Sequence, residues 1–193
     1  MQLKNKLTGL FLLLVFFTNA QNTINSSYFQ VMSARPLGPS TMSGRITSID
    51  GISANGQLNL FVGTAGGGIW KSQNGGLSFI SIFDKYCQSI GALAIEPGNA
   101  KVVYAGAGES NTRNSVSYGD GMYKTTDGGQ SWKQILHTND TSGVGDMVMD
   151  PVNPNKLFIN MYQHQRTPWS LQGGGKGSGF YVTYDGGKSF KKL

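Results

Sequence analysis

Apolar and polar residues alternate along the chain in short runs, and clusters of Gly, Asn, Asp and Pro separate them. That pattern describes β-strands with a buried face, joined by tight turns. It predicts strands at about 45–50, 58–64, 68–73 and 77–83, at about 91–96, 102–107, 121–126 and 131–136, and at about 145–150, 156–162, 179–184 and 188–193. No window sustains an apolar period of 3.6, and the 28 glycines argue against long helices.

The strands fall into three groups of four because one phrase returns three times: "WKSQNGGLSF" from Trp70, "YKTTDGGQSW" from Tyr123 and "YVTYDGGKSF" from Tyr181. Aligned, the copies place Ser72, Asn74, Gly76 and Phe79 over Thr125, Asp127, Gly129 and Trp132, and over Thr183, Asp185, Gly187 and Phe190. The step is 53 residues from Asn74 to Asp127 and 58 from Asp127 to Asp185, the spacing of propellers, solenoids or arrays. Asn-Gly-Gly and Asp-Gly-Gly tolerate positive φ, and the acid or amide and the earlier hydroxyl can accept the turn's own N–H groups. The phrase is therefore a locked hairpin corner, with its aromatic on the returning strand. A catalytic group is needed once, so a motif present three times is structural. Upstream of each corner, Asp50, Glu96 and Asp150 share one repeat position, read as lying just before a turn. Four antiparallel strands in a unit of about fifty residues make a propeller blade; a β-sandwich explains the strand count but not the recurrence.

The corner pattern, hydroxyl-x-Asp/Asn-x-Gly-x-x-aromatic, resembles the Asp-box, or bacterial neuraminidase repeat. With "IEPGN" and "MDPVNPNKLF", the chain looks most like exported bacterial sortilin-like proteins commonly labelled glycosyl hydrolases, over about residues 37–193. The resemblance implies an all-β propeller of four-stranded antiparallel blades with Asp-box hairpins, blades at about 45–84, 90–137 and 144–193. Propellers close with about four to eight blades, so three imply the N-terminal fragment of a larger ring. Such a fragment is expected to associate with the remaining blades of a longer chain or with itself. Sialidases of this resemblance carry an Arg-Ile-Pro phrase; here Arg45-Ile46-Thr47 lacks the proline, which argues against sialidase chemistry.

Composition adds bounds. With 38% hydrophobic and 13% charged residues the chain is globular in character. Its first residues, with Lys4 and Lys6, an apolar run from Leu10 to Phe17 and Thr18-Asn19-Ala20, predict a signal peptide at 1–20 that is cleaved to leave Gln21. An N-terminal extension at 21–36 follows. The run is too short for the about 20 residues of a membrane span, so the expectation is an exported protein, secreted, periplasmic or on the cell surface, without a stable span after cleavage. Loss of Lys4 and Lys6 lowers the net charge from +6 to +4, with no basic stripe of the kind nucleic acid requires. Cys87 is alone and is read as a small packing residue. No metal or cofactor is expected: His137 and His164 lack spaced partners, and "GGGKGSG" at 173–179 has Gly177 where a phosphate loop needs Ser or Thr.

Function is sought where the repeats differ. The loop between second and third strands is nearly absent in the first unit ("TAGGG"), long in the second ("GESNTRNSVSYGDG") and longer in the third ("YQHQRTPWSLQGGGKGSG"). With Arg45, these loops supply the ligand-binding candidates Arg113, Tyr118, His164, Arg166 and Trp169, aromatic faces beside cations and amides that suit a glycan or polypeptide. The expected function is binding of such a polymer through loops on one face. The alternatives are a glycoside hydrolase, endo-acting and glucanase-like before sialidase-like, or a structural interaction domain of a surface protein. Hydrolysis usually takes two carboxyls about 5–9.5 Å apart, and Glu109 and Asp120 are the candidates, with missing blades completing the site.

Overall fold

The computed structural model describes residues 44–54, 56–111 and 113–193. The predicted signal peptide and N-terminal extension lie outside them. The described residues form strands and no helix, arranged in three antiparallel sheets. The first holds β1 (Ile46–Ala54), β2 (Gln57–Thr64), β3 (Ile69–Ser72) and β4 (Ile80–Ser81); the second holds β5 (Ile90–Glu96), β6 (Asn99–Ala107), β7 (Met122–Thr125) and β8 (Lys133–Leu136). The third runs in the order β9 (Ser142–Met149), β10 (Leu157–Thr167), β12 (Gly179–Thr183) and β13 (Lys191–Lys192), and β10 also pairs with β11 (Ser170–Gly173). This all-β arrangement is consistent with part of a propeller.

Three sequence expectations need correction. Asp50 does not precede a turn: β1 continues to Ala54, and the Asp50 carboxylate accepts N–H groups from Gly51 and from Ile95 of the second sheet, at 2.8 Å each. Glu96 and Asp150 do sit at turns; Glu96 accepts from Asn99, and Asp150 from Val152 and Asn153. The last strands of the first and third units shrink to two residues each, because the corner bonds occupy the residues before them. The long third loop is largely a hairpin. Its turn closes where the Thr167 hydroxyl accepts Ser170 N–H at 3.1 Å, so β10 and β11 pair from Thr167–Ser170 back to His164–Gly173.

Strand side chains alternate between faces, so each sheet has two faces to cover. Phe61 on β2 is 0% exposed and clusters with Leu93, Ile95, Val103 and Ala105 of the second sheet. Tyr104, at the same register on β6, is 2% exposed and clusters with Val144, Leu157 and Ile159 of the third. Phe158 holds that register on β10 and is 42% exposed. Close approach is built in by glycine: a Cβ on Gly63 would run into Ile90, and one on Gly106 into Val144. Phe83 completes the first interface, edge-on to Tyr123 and Trp132 at centroid distances of 5.3 and 5.1 Å, pairs that each add about 0.5–1.5 kcal/mol beyond burial.

The corners are hydrogen-bonded alike. Thr125 donates its hydroxyl to Asp127 (2.7 Å) and accepts Gly129 N–H (2.9 Å), while Asp127 accepts Ser131 N–H (3.0 Å). Ser72 with Asn74, and Thr183 with Asp185, repeat this within 0.1 Å or so for the Gly76 and Gly187 N–H bonds, at 2.9 and 3.0 Å. The paired glycines take positive φ, 76° and 95° at Gly128 and Gly129, which explains why both are glycine. Each later corner also grips the preceding sheet. Lys71 lies over Phe61 and donates to the Gly128 carbonyl at 2.8 Å; Lys124 lies over Tyr104 and donates to the Gly186 carbonyl at 2.8 Å.

Thr125→Val keeps the shape of a fully buried side chain and removes its hydroxyl's bonds to the Asp127 carboxylate and to the Asp127 and Gly129 N–H groups, so it should lower unfolding free energy by about 1–2 kcal/mol, read from urea denaturation. Unchanged stability would remove the corner's structural role. The hydroxyls of Ser131 and Ser189, followed by backbone N–H donors, hold the Asp127 and Asp185 carboxyls well below the usual carboxylate range. A depressed folded-state pKa contributes stability that is present above the unfolded value of about 4 and lost as pH falls below it. Replacing both with Asn, the residue already at position 74, should therefore flatten the acid limb of the stability profile; an acid-unfolding curve like the wild type's would count against this origin.

Candidate functional site

Antiparallel order sends the connections from β2 to β3, β6 to β7 and β10 to β12 to one end of the stack, and the corners to the other. The grooves between the first two sheets lie at the corner end, lined by Lys71, Gln73, Asp127 and Gln130. There Lys71 and Asp127 are already engaged in the bonds that make the corners. The variable connections gather at the opposite end, where the Arg45 carbonyl accepts Ala65 N–H at 3.0 Å and so ties the entry to β1 to the short first loop.

At this loop end Arg45 is ion-paired through Nη2 to Oε1 of Glu109, whose side chain is fully buried. Its Nη1 donates to the Ser115 hydroxyl at 3.1 Å. Arg166, from the β10–β11 hairpin, donates through Nη2 to the Asn114 side-chain oxygen at 2.8 Å. Residues from all three units thus meet on the 108–121 connection. Arg113 is exposed beside Asn114, and Tyr118 is 46% exposed. His164, on the strand leading to the hairpin, is only 3% exposed, and its ring stacks on Tyr162 at 5.1 Å. The ring nitrogens of His164 make no well-formed hydrogen bond, although the Ser117 and Tyr162 carbonyls act on the ring, and Oε2 of Glu109 and Nε of Arg45 are buried without a partner. Burial pulls the His164 pKa below the usual histidine range; the Ser117 and Tyr162 carbonyls and the Glu109 charge act in the opposite direction without reversing it. Trp169 stands at the hairpin tip, 85% exposed.

Asp120 belongs to a different contact. It accepts the Tyr123 hydroxyl at 2.6 Å, and its carbonyl accepts from Gln134 and faces His137 Nδ1. Burial first, and then the Asp120 bond, push the Tyr123 pKa well above the usual tyrosine range. The two candidate carboxyls are therefore separately engaged, Glu109 with Arg45 and Asp120 with Tyr123. Sequence reasoning missed Asn114 and Ser115, which receive the arginines. Their partners lie 52 and 70 residues away along the chain, so no local pattern marks them. Cys87 is half-buried against the first interface, and burial pushes its thiol pKa up. Among the described residues no group of three or more His, Cys, Asp and Glu is placed to hold a metal ion, and no helix is long and apolar enough to cross a membrane.

No family model and no curated protein matches the chain. Among solved structures it is similar to an ancestral GH74 enzyme, with a TM-score of 0.56 at 18% identity over 78% of this chain. It is also similar to a GH74 enzyme of Niastella koreensis (TM-score 0.43, 16% identity, 69% of this chain and 27% of that one) and to the GH74 xyloglucanase of Xanthomonas campestris (TM-score 0.47, 19% identity, 71% and 18%). At these identities the first similarity is one of fold. This chain spans 18% of the length of that ancestral enzyme.

Glu109→Gln leaves the shape of the buried side chain and removes the counter-charge of Arg45. It should cost about 1–3 kcal/mol of stability at neutral pH, the scale of a hydrogen bond to a charged group, measured by urea unfolding. A variant as stable as wild type would mean that Arg45 needs no partner in the fold.

Proposed function

We propose that the chain is an exported module of an Asp-box β-propeller, its three sheets being consecutive blades of a larger ring, and that its loop end binds a polymeric glycan. The observation that carries the reading is the β10–β11 hairpin. It holds an indole at its tip, 85% exposed, on a two-residue turn closed by Thr167 and Ser170, and Arg166 fastens it to the neighbouring connection through Asn114. An exposed ring on a braced arm offers a flat apolar face to a pyranose, with amides and guanidiniums beside it for the hydroxyls. The fold similarity to GH74 enzymes supports a glycan over a polypeptide. Binding is favoured over hydrolysis for these residues because each carboxyl is held by a protein partner through one oxygen and buries the other, Glu109 against Arg45 and Asp120 against Tyr123.

Trp169→Ala should weaken binding in a panel of soluble polysaccharides by about tenfold, the scale of one lost aromatic contact, while leaving the melting temperature unchanged. Glycan retention on affinity gels that is indifferent to Trp169 would defeat the proposal.

A further inference from the structure

Arg45 and Arg166 converge on one three-residue segment, Arg113-Asn114-Ser115, which itself carries a third, exposed arginine. Arg45 reaches Ser115 and Arg166 reaches Asn114, at 3.1 and 2.8 Å. Among the described residues the one carboxylate paired with any of them is that of Glu109, which neutralises Arg45. Two guanidiniums are left uncompensated. Each carries five N–H donors in a planar fork, and the single bond from Arg166 to Asn114 leaves most of its donors unused. His164, 3% exposed, lies on the strand that leads into the hairpin. Arg166 shares its hairpin with the exposed Trp169.

A neutral glycan can take hydrogen bonds from these guanidiniums to its hydroxyls but leaves their charge unmatched. A uronate suits both parts, its carboxylate matching a guanidinium fork and its ring face the indole. We infer that the loop end selects an anionic, carboxylate-bearing polysaccharide, with Arg113 and Arg166 contacting the carboxylates and Glu109 positioning Arg45 beside them. This rests on the glycan reading above.

The test titrates the full chain with an oligogalacturonate, a neutral xyloglucan oligosaccharide of equal length and poly-glutamate, at low and high salt. The oligogalacturonate should bind about tenfold or more tightly than the xyloglucan fragment and lose affinity with salt, as charge pairing requires. Arg166→Gln should remove about tenfold of that affinity and Arg166→Lys restore only part of it, with Arg113→Gln acting in the same direction. Lys188→Gln, at the corner end, should change nothing. Xyloglucan binding that equals or exceeds oligogalacturonate binding and ignores salt would overturn the anionic selection while leaving glycan binding intact. Tighter binding of poly-glutamate would overturn it in favour of an acidic protein partner, and no binding of either glycan would overturn both readings.

Discussion

A sheet with apolar side chains on both faces needs a neighbour on each, and in this molecule the neighbours come close only because β2 and β6 carry glycine where the next sheet's first strand presses against them. Gly63 admits Ile90, and Gly106 admits Val144. That approach brings Phe61 and Tyr104 into the neighbouring cores and sets the distance at which Lys71 and Lys124 reach the corner carbonyls of Gly128 and Gly186. It also brings the side chains of β1 against the backbone of β5, where the hydroxyl of Ser48 and the carboxylate of Asp50 accept N–H groups of Leu93 and Ile95. Glycine at one register thus allows polar and apolar contacts to form together.

Both ends of the stack depend on this, with opposite freedom. At the corner end the backbone closes on itself through Ser or Thr and Asp or Asn, and the side chains there are committed to the turn. At the loop end the connections cross between sheets. Arg45 from the first unit, Glu109 from the second and Arg166 from the third are placed by the stack and only then meet.

That difference explains what could be read from the chain beforehand. The strands and corners were legible because their causes are local: period-two alternation for the strands, and paired glycines at positive φ with a hydroxyl two residues before the acid for the corners. Strand ends were less legible. Asp50 reads as a turn residue by analogy with Glu96 and Asp150, yet the chain beyond it stays extended as far as Ala54. The length and composition of the second and third loops marked His164, Arg166 and Trp169 as candidates, but nothing local revealed that Glu109 is buried under Arg45, since that pairing spans 64 residues. The hairpin inside the third loop was hidden as well, because its alternating run is interrupted by Pro168 at the turn itself.

The third sheet carries Asn160 at the register of Gly63 and Gly106, and Val182 at that of Lys71 and Lys124. The three units are therefore not interchangeable parts. A unit bearing Asn160 put in the place of the first or second sheet would drive its side chain into Ile90 or Val144, and its Val182 could not reach the corner carbonyl that Lys71 or Lys124 reaches. The linear order of the units is thus written into their facing surfaces as well as into their connections, so that shuffling or duplicating them would need compensating changes at these two registers.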